Sequence, residues 1–372
     1  MTRTMETKNE NTFVVFRSVH PGESLGDWLD DAGIKHKDFA NAINIPESRL
    51  SELINGKRPM TEDLAERIAS VLGGVDASYW MRAQANYEYN ERMLALRNDE
   101  QKKTDAQEGT LRSIFNLKEL YKHLGITAVS SIQRTQELFS KLGATYEDMT
   151  NRTAIVGCFK HSDTLRIDEQ NMRTWVLLAQ YEATQKHVDG EYSIKGAETA
   201  AIEIAQKANN GTLKENEIIS ILSQHGIAYA IVPRLQGCPV DAYSVMINGR
   251  PAIIVTHRHN NMQKLIFDVL HEIGHITKHM TGHRRDFIKT DYSQDNPQEK
   301  EANAYARDML IPPKIWSEII KVSIQTAREG IICRQIGLRA MTFGIDPCIA
   351  VARYKHDSKE YRGRAYAPTK II

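Results

Sequence analysis

The five residues His271-Glu272-Ile273-Gly274-His275 constrain this chain more than any other stretch. Residues four apart lie above one another on one face of an α-helix, and the preceding NMQKLIFDVL carries the apolar spacing that such a helix needs. Two imidazoles placed this way can share one metal ion. Glu272 lies one step round the helix, beside the place where a water on that ion would sit. Zinc lowers the pKa of such a water to about 7, and a neighbouring carboxylate can take its proton as it attacks a carbonyl. His271 and His275 are therefore candidate ligands of one Zn2+ ion, the expected cofactor, and Glu272 is the candidate general base.

A third ligand decides whether the motif is a site. His279 and His283 continue the four-residue spacing. Each turn carries them about 6 Å further along the axis, too far to share a tetrahedral ion with the first pair. The extended pattern H-E-x-x-H-x-x-G-x-x-H also fails, since Lys278 stands at its glycine and Thr281 at its last histidine. Downstream, NPQEKEANAYARDMLIPP places Glu299 and Asn303 at i and i+4. That carboxylate would complete a two-histidine, one-glutamate site, and the amide would orient a ligand from behind it. Glu301 is the rival carboxylate, on the far side of the same helix.

At 372 residues the chain is long for one ordinary core, so two or three domains are expected. With 41% hydrophobic and 26% charged residues it has a globular composition, and a formal charge of +1 gives no global pull towards nucleic acid. Cys158, Cys238, Cys333 and Cys348 lie far apart without a C-x-x-C pair, as free thiols in a reducing compartment would. The polar opening MTRTMETKNENT is followed by no apolar signal region, and no run approaches the roughly 20 apolar residues of a spanning helix. A cytoplasmic protein with no membrane partner is expected.

Periodicity divides the chain further. Residues 1–19 read as a disordered tail, and 20–91 as short helices punctuated by Gly, Pro and Asn. Residues 92–200 read as a charged linker leading into a helical middle region, and 201–372 as a domain around the metal motif. Within that last domain IAYAIVP, DAYSVMING and RPAIIVTH are β-branched and alternating. They suggest a small antiparallel sheet with Asn248-Gly249 as a hairpin turn. The fold class is thus mainly α with a small antiparallel sheet, α+β.

In the N-terminal region KHKDFANAI sets Phe39, Ala40 and Ile43 on one face and PESRLSELI sets Leu50, Leu53 and Ile54 on another. Two such helices make a helix-turn-helix, whose second helix enters the major groove. Glu47, Ser48, Arg49 and Glu52 would point outward to meet DNA, and Lys57 and Arg58 would follow the helix to hold phosphates. From Arg17 to Tyr89, 8 Lys and Arg stand against 12 Asp and Glu, a net charge of −4. One copy should then bind DNA weakly, and a homodimer on a palindromic site would double the contacts. A module kept for docking or dimerisation is the bland alternative.

Two resemblances follow from these motifs. HEIGHITKH with the later E-x-x-A-N-x-Y-A-x-x-M-L-I-P resembles the ImmA/IrrE family of cytoplasmic zinc metallopeptidases. The resemblance covers roughly residues 200–360, including GIDPCIAVARYKHD near its end. It implies a zincin-like fold, ligands at His271, His275 and Glu299, and Glu272 as general base; it favours Glu299 over Glu301. The stretch from His20 to about Tyr89 resembles the HigA branch of Xre-type regulators in its H-P-G-E entrance, its P-x-S-R-L-x-E-L-x-N-G-x-R helix, and its exit through Trp80, Gln84, Ala85 and Tyr87. That implies an antitoxin-like autorepressor with operator DNA as partner.

Together these expectations describe a DNA-binding regulator whose zinc endopeptidase cleaves a partner protein or itself to switch repression. The alternative is an antitoxin-like repressor of a toxin–antitoxin module, whose metallopeptidase fold binds a toxin or signal without turnover. Tyr243 and His259 are conceivable substrate contacts on the sheet side of the motif, although structural roles suit them better.

Overall fold

The computed structural model describes residues 18–151, 167–280, 286–290, 297–321, 329–359, 366 and 369–371, with backbone alone at 286–290 and 329–330. Residues 1–17 of the expected tail, Cys158 and His283 lie outside the described residues. The chain forms two compact units, Met1–Ala106 and Gln107–Ile372.

The first unit contains α1 (Pro21–Asp31), α2 (His36–Ala42), α3 (Glu47–Ile54), α4 (Glu62–Leu72) and the start of α5 (Ala77–Ile114). The His20 ring caps α1 by accepting from the Gly22 N–H at 3.0 Å, with Pro21 in the first turn. A Cβ on Gly22 would lie 1.8 Å from the Leu53 carbonyl, so only glycine lets α1 rest on α3. Leu25, Leu29, Phe39, Leu50, Leu53, Leu64, Ile68 and Trp80 close one core. Gln84, one turn after Trp80, is buried and accepts the Met60 N–H at 2.9 Å. The tryptophan and glutamine of the exit motif thus fill the core and satisfy a buried donor beside it.

The second unit continues through α6 (Leu117–Leu124), α7 (Ser131–Leu142), α8 (Tyr146–Asn151), α9 (Glu169–Gln185), α10 (Ile194–Asn209) and α11 (Glu215–Gln224). Strands β1 (Ala228–Ile231), β2 (Val240–Ile247) and β3 (Arg250–Val255) follow, then α12 (Met262–Lys278), β4 (Asp286–Thr290) and α13 (Pro297–Leu310). The unit ends with α14 (Pro313–Ile319), α15 (Glu329–Thr342) and α16 (Pro347–Ser358).

The sheet order is β1-β3-β2-β4. Asn248 at φ 51° and Gly249 at φ 79° make the expected β2–β3 hairpin, a turn that needs positive φ at both positions. β2 pairs antiparallel with β3 and β4, whereas β1 joins β3 in parallel. The sheet is therefore mixed rather than antiparallel. The reason is connective: β1 leads into β2 by a loop long enough to cross to the far side of β3.

Both faces of the sheet are covered. Tyr229, Ala242, Ile253 and Val255 join a core with α10, α12 and α13, while Ala230, Tyr243, Val245 and Ile254 join another with α6, α7 and α9. On the second face the Trp175 indole N–H donates to the Val232 carbonyl at 3.3 Å, and its ring meets that of Tyr243 edge-on at 6.1 Å. The expected boundary at residue 200 falls inside the second unit, Gln107–Ile372. Residues 92–114 are helical within α5, and the later helices share their core with the strands, because a two-sided apolar sheet has to be covered on both sides.

Candidate metal centre

The site is built on α12, which Asn261 caps by accepting the Lys264 N–H at 3.1 Å. Two close approaches bring its partners in. Alanines 197, 200, 201 and 205 make the buried face of α10 thin where it lies along α12. On α12 itself, a Cβ on Gly274 would meet the Tyr305 ring at 3.1 Å. The glycine within the H-E-x-x-H stretch thus lets α13 come near enough for Glu299 to reach the histidines.

His271, Glu272 and His275 are wholly buried and Glu299 is 4% exposed. The Nε2 atoms of His271 and His275 are 3.0 Å apart, and they lie 3.2 and 3.3 Å from the two oxygens of Glu299. Among the described residues these three form the one cluster of this kind able to surround a metal ion. Four ligands at about 2.0–2.1 Å from zinc would be separated by roughly 3.3 Å, the edge of the tetrahedron. The observed separations suit that edge, and a nitrogen–nitrogen–carboxylate donor set suits a borderline ion such as zinc. Burial alone would raise the Glu299 pKa, but the two imidazoles outweigh it and hold the carboxyl down at about 2. An anionic ligand results.

Each histidine is held from behind. Asn303 Oδ1 lies 3.0 Å from His271 Nδ1, so the sequence-predicted amide stands where it can accept that ring's proton. His275 Nδ1 meets His279 Nδ1 at 2.9 Å, and His279 Nε2 lies 3.2 Å from Glu301 Oε2. Lys278 reaches the other oxygen of Glu301 at 3.0 Å. Hydrogen bonds from His279 first and then Lys278 hold Glu301 below the usual carboxylate range. Glu301 thus points away from the cluster, and Glu299 into it.

Glu272 turns towards the sheet, where the Ser244 hydroxyl of β2 donates to its Oε2 at 2.5 Å. Lys264 and Asp268 precede it by two turns and one turn, and Lys264 spans Asp268 at 3.2 Å and Asp241 at 2.9 Å. Burial would lower the Lys264 pKa, but Asp268 and Asp241 keep it above the ordinary lysine value. Asp241 also meets Arg258 at 3.4 Å and His259 at 3.6 Å. The spacing 264, 268, 272 could have revealed this polar stripe in the sequence; Ser244 carried no signal of its own. Tyr243 lies on the opposite face, accepting from Gln180 Nε2 at 3.1 Å, and so is no substrate contact.

In the first unit, Glu47, Ser48, Glu52, Lys57 and Arg58 are exposed along and just after α3, while Arg49 is half-buried. Leu50 and Leu53 face the core. Arg58 and Glu52 are not independent, since the guanidinium Nε lies 2.5 Å from the Glu52 carboxylate. That hydrogen bond holds Glu52 below its usual pKa. Of the two basic residues after α3, Arg58 is thus tied down within the module, and among the described residues no salt bridge is seen for Lys57.

The helix-turn-helix family profile matches residues 26–80. Over 69 residues the chain is 35% identical to virulence-associated protein A of Dichelobacter nodosus, covering 18% of this chain and 68% of that protein. It is 32% identical to virulence-associated protein A' of the same organism over 72 residues, or 19% of this chain and 63% of the relative, less than two thirds of its length. Among solved structures, PA4674 of Pseudomonas aeruginosa in complex with its 28 bp operator DNA is 25% identical, spanning 22% of this chain and 91% of that one at a TM-score of 0.21.

Proposed function

Since the chain belongs to the helix-turn-helix family through residues 26–80, we propose that it is a DNA-binding transcriptional regulator carrying a zinc-dependent endopeptidase. The first half of this reading rests on α2 and α3, which leave Glu47, Ser48, Lys57 and Arg58 open to a duplex. The second rests on the convergence of His271, His275 and Glu299 within one buried cluster.

In this reading His271, His275 and Glu299 hold the ion, and Asn303 keeps the His271 ring turned towards it. Zinc bound there supplies a Lewis acid that polarises a peptide carbonyl and activates water near neutral pH. Glu272 would be the general base there, the group able to take a proton from an attacking water and return it to the departing amine. Ser244 donates to one oxygen of Glu272 and so helps to orient the carboxylate. Cleavage of a partner protein or of the regulator itself would relieve repression. The protein acts in the cytoplasm, and no described helix is long and apolar enough to cross a membrane.

A homodimer belongs to the same proposal. Tyr89, Met93 and Leu96 recur at i, i+4 and i+7 on α5 and are 58%, 48% and 65% exposed. A second copy would cover that stripe and supply the second reading helix that a module of net charge −4 requires.

One observation favours the other reading, an antitoxin-like repressor whose metallopeptidase fold binds a toxin or signal without proteolysis. His271, Glu272 and His275 are each 0% exposed, so these side chains are closed to solvent in this conformation. The deciding experiment measures zinc content of the wild type and of Glu272→Gln, and follows both by intact mass with and without the adjoining gene's product. Zinc in both with cleavage only in the wild type supports the regulatory peptidase. Zinc in both with no cleavage of self or neighbour favours the non-proteolytic antitoxin.

A further inference from the structure

We infer that His279 and Glu301 form a positioning relay for one metal ligand, a role that rests on the zinc reading of the site and adds two residues to it. An imidazole that offers its Nε2 lone pair to a metal carries its proton on Nδ1 and must donate it. For His275 the atom facing Nδ1 is another ring nitrogen, His279 Nδ1, at 2.9 Å. With no ion between them, two ring nitrogens at this distance share one proton. With that proton on His275, the lone pair belongs to His279 Nδ1, and the His279 proton is forced onto Nε2. There it finds Glu301 Oε2 at 3.2 Å. Lys278 closes the chain on the other oxygen at 3.0 Å.

Each tautomer is thus dictated by the next group outward, and the chain ends on a carboxylate that can only accept. His279 is 8% exposed, so water is a poor substitute acceptor at His275 Nδ1. The two ligand histidines are therefore unlike. His271 rests on the neutral amide of Asn303, whereas His275 rests on a histidine polarised by a carboxylate, which raises its basicity towards the ion. Glu301, the rival ligand in the sequence, acts on the same ion through two rings.

The test uses the full chain and zinc alone, by competition with a chromogenic chelator, on wild type, His271→Ala, His279→Leu, His279→Gln, Glu301→Gln and the His279→Leu/Glu301→Gln pair. Circular dichroism confirms folding, and the visible spectrum of the cobalt-loaded forms reports the ligand field. His279→Leu should bind zinc about 10- to 100-fold more weakly and shift the cobalt bands. His279→Gln, which restores an acceptor, should recover part of the loss. The pair should be no worse than His279→Leu alone, because one removal already breaks the chain. A wild-type affinity in His279→Leu, or strictly additive losses in the pair, would overturn the relay while the metal site stands. A wild type that binds no zinc, or zinc binding indifferent to His271→Ala, would overturn the metal reading itself and the relay with it.

Discussion

Ser244 and Glu272 meet at 2.5 Å between β2 and α12, both wholly out of contact with solvent. Glu272 follows the candidate ligand His271 in the chain, while Ser244 reaches its carboxylate from the sheet, so the contact is expected to set the carboxylate's orientation rather than the metal affinity. Ser244→Ala should retain full zinc by elemental analysis and lower turnover on the cleaved partner by about tenfold, or about 1.4 kcal/mol of barrier. A loss of zinc in that variant would show that the serine supports the ligands instead.

Removing the metal should cost the second unit much of its stability. The three donors are buried together, and an ion that binds only the folded state stabilises it by about 4 kcal/mol at 1,000 times its dissociation constant. For a unit of this size that corresponds to a melting shift on the order of 10 °C. Chelation should lower the melting temperature by this amount and zinc should restore it. Glu299→Ala should melt low with or without zinc, and an identical zinc-induced shift in that variant would remove Glu299 from the ligand set.

Much of the candidate centre is legible in the sequence because its spacing obeys helix geometry. His271 and His275 recur at one turn, Glu299 and Asn303 at another, and each pair shares a face. Gly274 was visible only as part of a motif; its reason, the Tyr305 ring against its Cα, is a contact between helices about 30 residues apart. Ser244 and Glu301 were harder still. A serine in an alternating strand reads like any solvated position, and here it faces a buried carboxylate. The pairing of β1 with β3 was hidden because strand periodicity gives which residues share a face and not which strand is the neighbour. The unity of α9 with the sheet was hidden for a similar reason, since its apolar run shows that it is buried but not against what.

The pairing of Glu52 with Arg58 separates the two basic residues that follow α3. Lys57 is exposed and is expected to give its full charge to a phosphate, while Arg58 has to be shared with, or released from, the carboxylate at 2.5 Å. In operator binding measured against salt, Lys57→Ala should lower the log–log slope by about one unit. Arg58→Ala should lower it less, and Glu52→Gln should strengthen binding by freeing the guanidinium. Equal effects of the lysine and arginine changes would mean that the ion pair opens on DNA. Indifference to all three would favour a docking module over a DNA-reading one.

The second unit should not survive a cut at residue 200. Trp175 is fully buried against Tyr243 and donates to the Val232 carbonyl, so α9 supplies a side of the core that β1, β2 and β3 cannot close alone. A fragment spanning residues 201–372 would expose Ala230, Tyr243, Val245 and Ile254, an apolar sheet face without cover. It should be insoluble or non-cooperative in denaturant, whereas residues 107–372 should unfold in one transition and bind zinc like the full chain. In the full chain Trp175→Ala should destabilise this same transition by about 3–5 kcal/mol. If the shorter fragment folds and binds zinc with wild-type affinity, the middle helices are an accessory layer, and the metal centre needs only the α12 side of the sheet.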